Sequence, residues 1–259
     1  MDKAIKEIAN TIIFKSVLIM LIFLLTSCVR VDANEVSVDK TSHKIISHLE
    51  DKENVLFNAL FSQYNTTYTI TSNKFEQEDI VVFFPQISMP NKEMQEKINE
   101  LILSELYEMF GRLLELEESI VLEVDFEVKF SSDRLLSVVY SGLSIASRPR
   151  WVFYSTNIDI KTGEVINLND IVEINEDFME LLLNESTLKL RYDLRDIENK
   201  IANEVRETIS NPWFINWLQN SERPTFYFTT YKLGFSVGLP HVIGGHVELE
   251  ILYELLSSR

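Results

Sequence analysis

Residues 120–130 alternate without a break: Ile120, Leu122, Val124, Phe126, Val128 and Phe130 are apolar, and Val121, Glu123, Asp125, Glu127 and Lys129 stand between them. Successive strand side chains point to opposite faces, so the stretch predicts a strand with one face in a core and the other largely wet. A half-buried strand needs partners. Ser131-Ser132-Asp133-Arg134 is a turn-forming link into 135–143, where Leu136, Val138 and Tyr140 keep the alternation, so a hairpin is expected. A third strand follows over 151–160. Lys161-Thr162-Gly163-Glu164 then turns the chain into 165–168, with Gly163 able to take positive φ without penalty.

Upstream, 64–71 and 79–84 are rich in β-branched and aromatic residues and read as strands, the second closed by Pro85. Asn91 can cap a following helix, Glu93 suits its first turn, and Met94, Ile98, Leu101, Ile102, Leu106, Met109 and Phe110 recur at helical spacing. Beyond Asp170 the period changes again: Phe178, Leu181 and Leu182, then Ile197, Ile201, Val205 and Ile209, predict two helices, with Pro212 breaking or bending the second. Strands return at 225–231, 233–237 and 247–252. The expected fold class is α+β: antiparallel sheets, a long helix in an N-terminal subdomain (55–117), and two further helices before a terminal hairpin in a C-terminal subdomain (118–259). Lengths and order also fit one merged domain.

Ahead of that body, Lys15 precedes an apolar run over 16–25, followed by Thr26-Ser27-Cys28. A run of about ten apolar residues suits a signal-peptide core and is short for a membrane span of about 20. Leu25-Thr26-Ser27-Cys28 resembles the bacterial lipobox, in which the cysteine is diacylated before cleavage. Cys28 is the only cysteine of the chain, so lipidation explains a thiol that has no disulfide partner. The reading is a signal peptide over 1–27, a polar tether over 28–54 and a body lipid-anchored on the extracytoplasmic side of the cell membrane; the alternative is an uncleaved signal anchor. The formal net charge is −16, and residues 1–27 contribute +1, leaving −17 beyond them. So acidic a body repels phosphate backbones, which excludes nucleic acid as the expected partner and favours a cationic one.

Candidate chemistry is sparse. His241 and His246, with Glu248 or Glu250 nearby, would be metal ligands, but a zinc site needs three or four in defined geometry, so no metal or other cofactor is expected. Glu123, Asp125 and Glu127 share a strand face at about 6.5 Å per step, inside the separations of about 5 to 9.5 Å used by glycosidase carboxylates; any solvated acidic strand offers the same spacing. Trp213, Phe214 and Trp217, with Phe226, Tyr227 and Phe228, make either an aromatic sugar platform or core. No nucleophile elbow, P-loop or dinucleotide fingerprint is present.

Three stretches together resemble the extracytoplasmic domain family of RsiV-type lysozyme-sensing anti-sigma factors and PdaC-type peptidoglycan deacetylases. They are Val82-Phe83-Phe84-Pro85 with the helix after Asn91; Phe126 to Phe130 through Asn157-Ile158-Asp159-Ile160-Lys161-Thr162-Gly163-Glu164; and Leu233-Gly234-Phe235-Ser236-Val237 through Gly244-Gly245 to Val247-Glu248-Leu249-Glu250-Ile251. The resemblance covers roughly residues 68–253. Where the family carries a Gly-Gly-Ala-His-Pro-like segment, this chain has Ala146-Ser147-Arg148-Pro149-Arg150. The resemblance implies a contact surface there, at Arg148, Arg150 and Trp151. About fifteen residues precede the apolar run, too few for a cytoplasmic sigma-binding region, and the metal-binding cluster of a deacetylase is missing. The expected function is a non-catalytic envelope lipoprotein that binds a wall component such as peptidoglycan or a cationic protein such as lysozyme. A carboxylate-dependent envelope hydrolase and a metal-responsive binding module using His241 and His246 are the alternatives.

Overall fold

The computed structural model describes residues 66–116, 121–145, 149–190, 197–221, 224–240 and 245–256, with backbone alone at 112–116. Within them the chain is α+β, built from two sheets, each with its own apolar core.

The first sheet has the order β1 (Thr69–Gln77), β2 (Ile80–Ser88), β3 (Val121–Ser131), β4 (Leu135–Ile145), β5 (Pro149–Asp159) and β6 (Glu164–Val165). Helix α1 (Lys92–Leu116) connects β2 to β3, which pair in parallel at Ile80–Val82, while the other neighbours are antiparallel. Asn91 caps α1 by accepting the Met94 N–H at 3.1 Å. Ile98, Ile102, Leu106 and Phe110 then fall on one side of it, against Leu122, Val124, Leu136, Val138, Tyr140 and Ile158. This α1 face and the even-numbered face of β3 make the first core.

Three expectations change here. The first strand runs later than 64–71, through Gln77, because Glu78 takes φ of 51° and makes the turn into β2 without a glycine. Pro85 does not close the second strand. It pairs with Ser72 inside β2, past the last contact of β2 with β3 at Val82, and a residue without an N–H is tolerated where a strand has one partner only. The Gly163 turn is as read: Gly163 has φ of 65°, and Asp159 accepts the N–H groups of Lys161 and Thr162. The strand after it is short, Glu164–Val165, and a helical turn at Leu168–Asp170 replaces its continuation.

The second sheet has the antiparallel order β7 (Thr187–Lys189), β10 (His246–Leu252), β9 (Lys232–Gly238) and β8 (Phe226–Phe228). Helices α2 (Glu176–Glu185), α3 (Glu198–Ile209) and α4 (Pro212–Asn220) cover one face, and a short α5 (Tyr253–Leu256) ends the described chain. Phe178, Leu182, Ile201, Val205, Phe214 and Leu218 meet Phe226, Phe228, Phe235, Val237 and Leu249 in the second core. Each such fully buried side chain contributes about 1.5–3 kcal/mol. Pro212 starts a third helix instead of bending the second: it sits in the first turn, where its missing N–H costs nothing, and Asn211 caps the helix by accepting the Trp213 N–H. Among the described residues, no helix is long and apolar enough to cross a membrane.

A β-bulge between Val128 and Phe130 joins the two halves. Unbroken alternation would send Phe130 to the same core as Val124. The extra residue reverses it, so Phe130 enters the second core beside Leu135, and Lys129 is left unpaired in the ladder at the junction.

Candidate functional site

The second sheet turns its other face toward the bulge. In register across it lie Tyr227 opposite Gly234, Gly234 opposite Glu250, Ser236 opposite Glu248, and Glu248 opposite Lys189. Gly234 has no side chain, and the Tyr227 ring fills the vacated space: a Cβ there would lie 2.2 Å from the ring carbon that bears the hydroxyl. Lying flat across the strand, the phenol donates to Glu248 Oε2 at 2.6 Å and reaches Glu250 Oε1 at 3.1 Å.

Around this pair the charges balance. Lys129, whose side chain is 7% exposed, bonds Glu127 at 2.6 Å, approaches Glu248 at 4.0 Å and stands 5.2 Å from the centre of the Tyr227 ring. Lys189 lies 3.5 Å from Glu248 and 3.7 Å from Glu250, and Lys232 lies 3.3 Å from Glu250. Three carboxylates thus meet three ammonium groups. Burial, then the fields and hydrogen bonds of Glu248 and Glu250, push the Tyr227 phenol far above its ordinary range, so it stays protonated. Partial burial pulls the Lys189 ammonium down, but the fields of Glu248, Glu250 and Glu127 together raise it. A neutral phenol held by saturated carboxylates is a cross-brace between strands.

His246 stacks on Phe153 of the first sheet at 4.7 Å, and Phe153 meets the Tyr227 ring edge-on at 6.3 Å. His241 and Arg148 lie outside the described residues, as does Cys28. Among the described residues, no group of three or more His, Cys, Asp or Glu is placed to hold a metal ion.

Beyond this junction, the odd-numbered face of the first sheet runs into solvent. Pairing places Val121, Ile145 and Pro149 in one row, Glu123, Leu143 and Trp151 in the next, and Asp125, Ser141 and Phe153 in a third. Val121 is 44% exposed, Ile145 38% and Trp151 42%, and Glu123, Asp125 and Glu127 are exposed as well. Glu127 is engaged by Lys129, whereas Glu123 and Asp125 meet no cation among the described residues. Of the expected contact residues Arg148, Arg150 and Trp151, the last two are described and both are exposed. Adjacent on β5, they point to opposite faces, Arg150 pairing with buried Ser144 and Trp151 with Leu143. The three carboxylates do share a face, but an open one, unlike the partly dehydrated sites in which glycosidic acid and nucleophile are differentiated.

The aromatic set is divided. Phe214, Phe226, Tyr227 and Phe228 are buried, while Trp213 is 53% and Trp217 38% exposed.

No family model matches the chain, and no curated protein matches it. Among solved structures, it is similar to a DUF3298 family member from Bacteroides fragilis, with a TM-score of 0.47 and 13% identity over 75% of this chain and 94% of the other. A DUF3298 family protein from Pseudomonas aeruginosa matches with a TM-score of 0.46 and 14% identity over the same shares.

Proposed function

We propose that this chain is a non-catalytic, lipid-anchored envelope protein whose body binds a cationic protein such as lysozyme through the open face of β3, β4 and β5. One observation carries the reading: Glu123 and Asp125, free of ionic partners among the described residues, stand in register with exposed Trp151, Val121 and Ile145. Aromatic anchors beside uncompensated charge suit a protein interface, where the charges steer encounter and a central tryptophan supplies affinity. The leader ending in Cys28, the net charge of −16 and the resemblance to RsiV-type domains support the same reading.

The test is binding of the full-length protein to lysozyme at two salt concentrations. Between 0.1 M and 1 M salt the Debye length shrinks from about 10 Å to about 3 Å, so affinity is expected to fall at least about tenfold. Glu123→Lys with Asp125→Lys should remove the salt dependence. Trp151→Ala should cost about 2 kcal/mol, or roughly 30-fold. Absence of binding, or binding indifferent to all three substitutions, refutes the assignment.

A further inference from the structure

Helix α4 has one face that its own fold does not use. At 100° per residue, Phe214, Leu218 and Ile215 point into the second core, while Trp213, Trp217, Asn216 and Asn220 share the opposite side, and all four are exposed. In a chain of net charge −16, the nine residues Pro212–Asn220 contain no charged side chain. The face therefore offers no counter-charge to a cationic protein, in contrast to the β3 strand.

It is also preorganised. Buried Phe214 braces both indoles, meeting Trp213 edge-on at 6.0 Å and Trp217 at 5.6 Å. The Asn220 amide donates to the Asn216 carbonyl at 2.7 Å and to its side-chain oxygen at 2.8 Å, which fixes the two amides alongside. Rings already held in place lose little freedom when a ligand arrives. The indole centres are 6.4 Å apart, near enough for neighbouring rings of one chain to reach both, and their planes are inclined by 65°. That inclination favours a chain that twists between successive rings over a flat stack.

We infer that the Trp213–Trp217 face of α4 is a binding site for an uncharged polysaccharide chain: successive sugar rings lay their C–H faces on the two indoles, and the Asn216 and Asn220 amides bond the hydroxyl or acetamido groups at the edge. Charge matching selects this occupant. A hydroxyl-rich, neutral ligand meets aromatic faces and amides here without desolvating an ion, whereas anionic ligands are repelled by the acidic body and cationic ones are drawn to Glu123 and Asp125 instead. The site is separate from the lysozyme face, and neither reading depends on the other.

The experiment titrates the full-length protein with β-1,4-linked tetramers of N-acetylglucosamine and of glucose, by calorimetry and by tryptophan emission, to which α4 supplies two of the three tryptophans. Saturable binding of at least one tetramer is expected. Trp213→Ala with Trp217→Ala should weaken it at least tenfold, and Trp213→Phe with Trp217→Phe, which keeps aromatic faces and guards against a folding defect, should restore most of it. No saturable binding of either tetramer overturns the inference, as does binding unchanged in the double alanine variant. Emission that responds to vesicles of zwitterionic lipid and to neither tetramer would assign the face to a membrane surface and overturn it equally.

Discussion

Replacing Gly234 by alanine puts a methyl group where the Tyr227 ring lies. The new Cβ would stand 2.2, 2.4 and 2.6 Å from three ring carbons, against about 3.5–4.0 Å for carbon atoms in contact, so the ring must retreat by more than about 1 Å. The ring has little room to do so, with Lys129 against it and its hydroxyl held by Glu248 and Glu250. Overpacking costs about 1–3 kcal/mol, and weakening a hydrogen bond to a charged acceptor about 1.5–3 kcal/mol. Alanine returns about 0.5–1 kcal/mol relative to glycine in a strand. The net expectation is a loss of about 3 kcal/mol, read as a urea midpoint lower by about 1.5 M for a slope near 2 kcal/mol/M, with unfolding of the full-length protein followed by circular dichroism. The double variant decides the cause. On a Tyr227→Ala background the methyl group has space, and Gly234→Ala should cost less than about 0.5 kcal/mol. An equal cost on both backgrounds, or an unchanged midpoint in the single variant, would refute the close-approach argument.

Four further outcomes are expected. Gly142→Ala places a Cβ 2.0 Å from the Glu123 carbonyl oxygen, where backbone must move, and should lower stability by at least about 3 kcal/mol in the same urea assay. Asn157→Ala strips the Phe226 carbonyl of its donor and Ser137 of its acceptor, and should cost about 2–3 kcal/mol with β8 amides losing hydrogen-exchange protection first. Glu78→Asn should raise stability by up to about 1 kcal/mol in thermal unfolding, since asparagine tolerates the positive φ of 51° better than glutamate. Above pH 10 stability should fall by up to about 4 kcal/mol per pH unit. Tyr68, Tyr140 and Tyr227 are raised chiefly by burial, with Asp133, Glu105 and Glu248 adding respectively, so in that range the unfolded chain releases protons the folded chain keeps. Phenolate absorbance and unfolding, followed together, should coincide for these three tyrosines.

What could be read in advance was local. Alternation located β3, β4 and β5, Asn91 and Gly163 marked a cap and a turn, and the apolar period found α1, α2 and α3, because each signal depends on neighbours a few residues away. The bulge at Lys129 left no mark, since one extra residue in an alternating run changes the pairing partner and not the pattern. Parallel pairing of β2 with β3 depends on α1 returning the chain across a long connection, which periodicity does not encode. The charged junction is assembled from β3, β7, β8, β9 and β10, so its members looked like separate surface residues. One sign was present: Gly234 in the interior of a strand marks a close approach by something bulky. Exposure of Trp213 and Trp217 was not legible either, because core and surface aromatics share helical spacing until the buried side is known.

The outer edge of β8 meets side chains of the first sheet. Ser155 accepts the Phe226 N–H at 3.0 Å, Ser137 accepts the Phe228 N–H at 2.9 Å, and Asn157 donates to the Phe226 carbonyl at 2.8 Å. These acceptors and donors sit on β4 and β5, 91, 71 and 69 residues ahead of their partners in β8. The first sheet thus precedes β8 entirely in sequence, and it places three polar side chains along the edge that β8 presents. An unsatisfied edge is where a sheet recruits the wrong neighbour, and here Ser137, Ser155 and Asn157 occupy it.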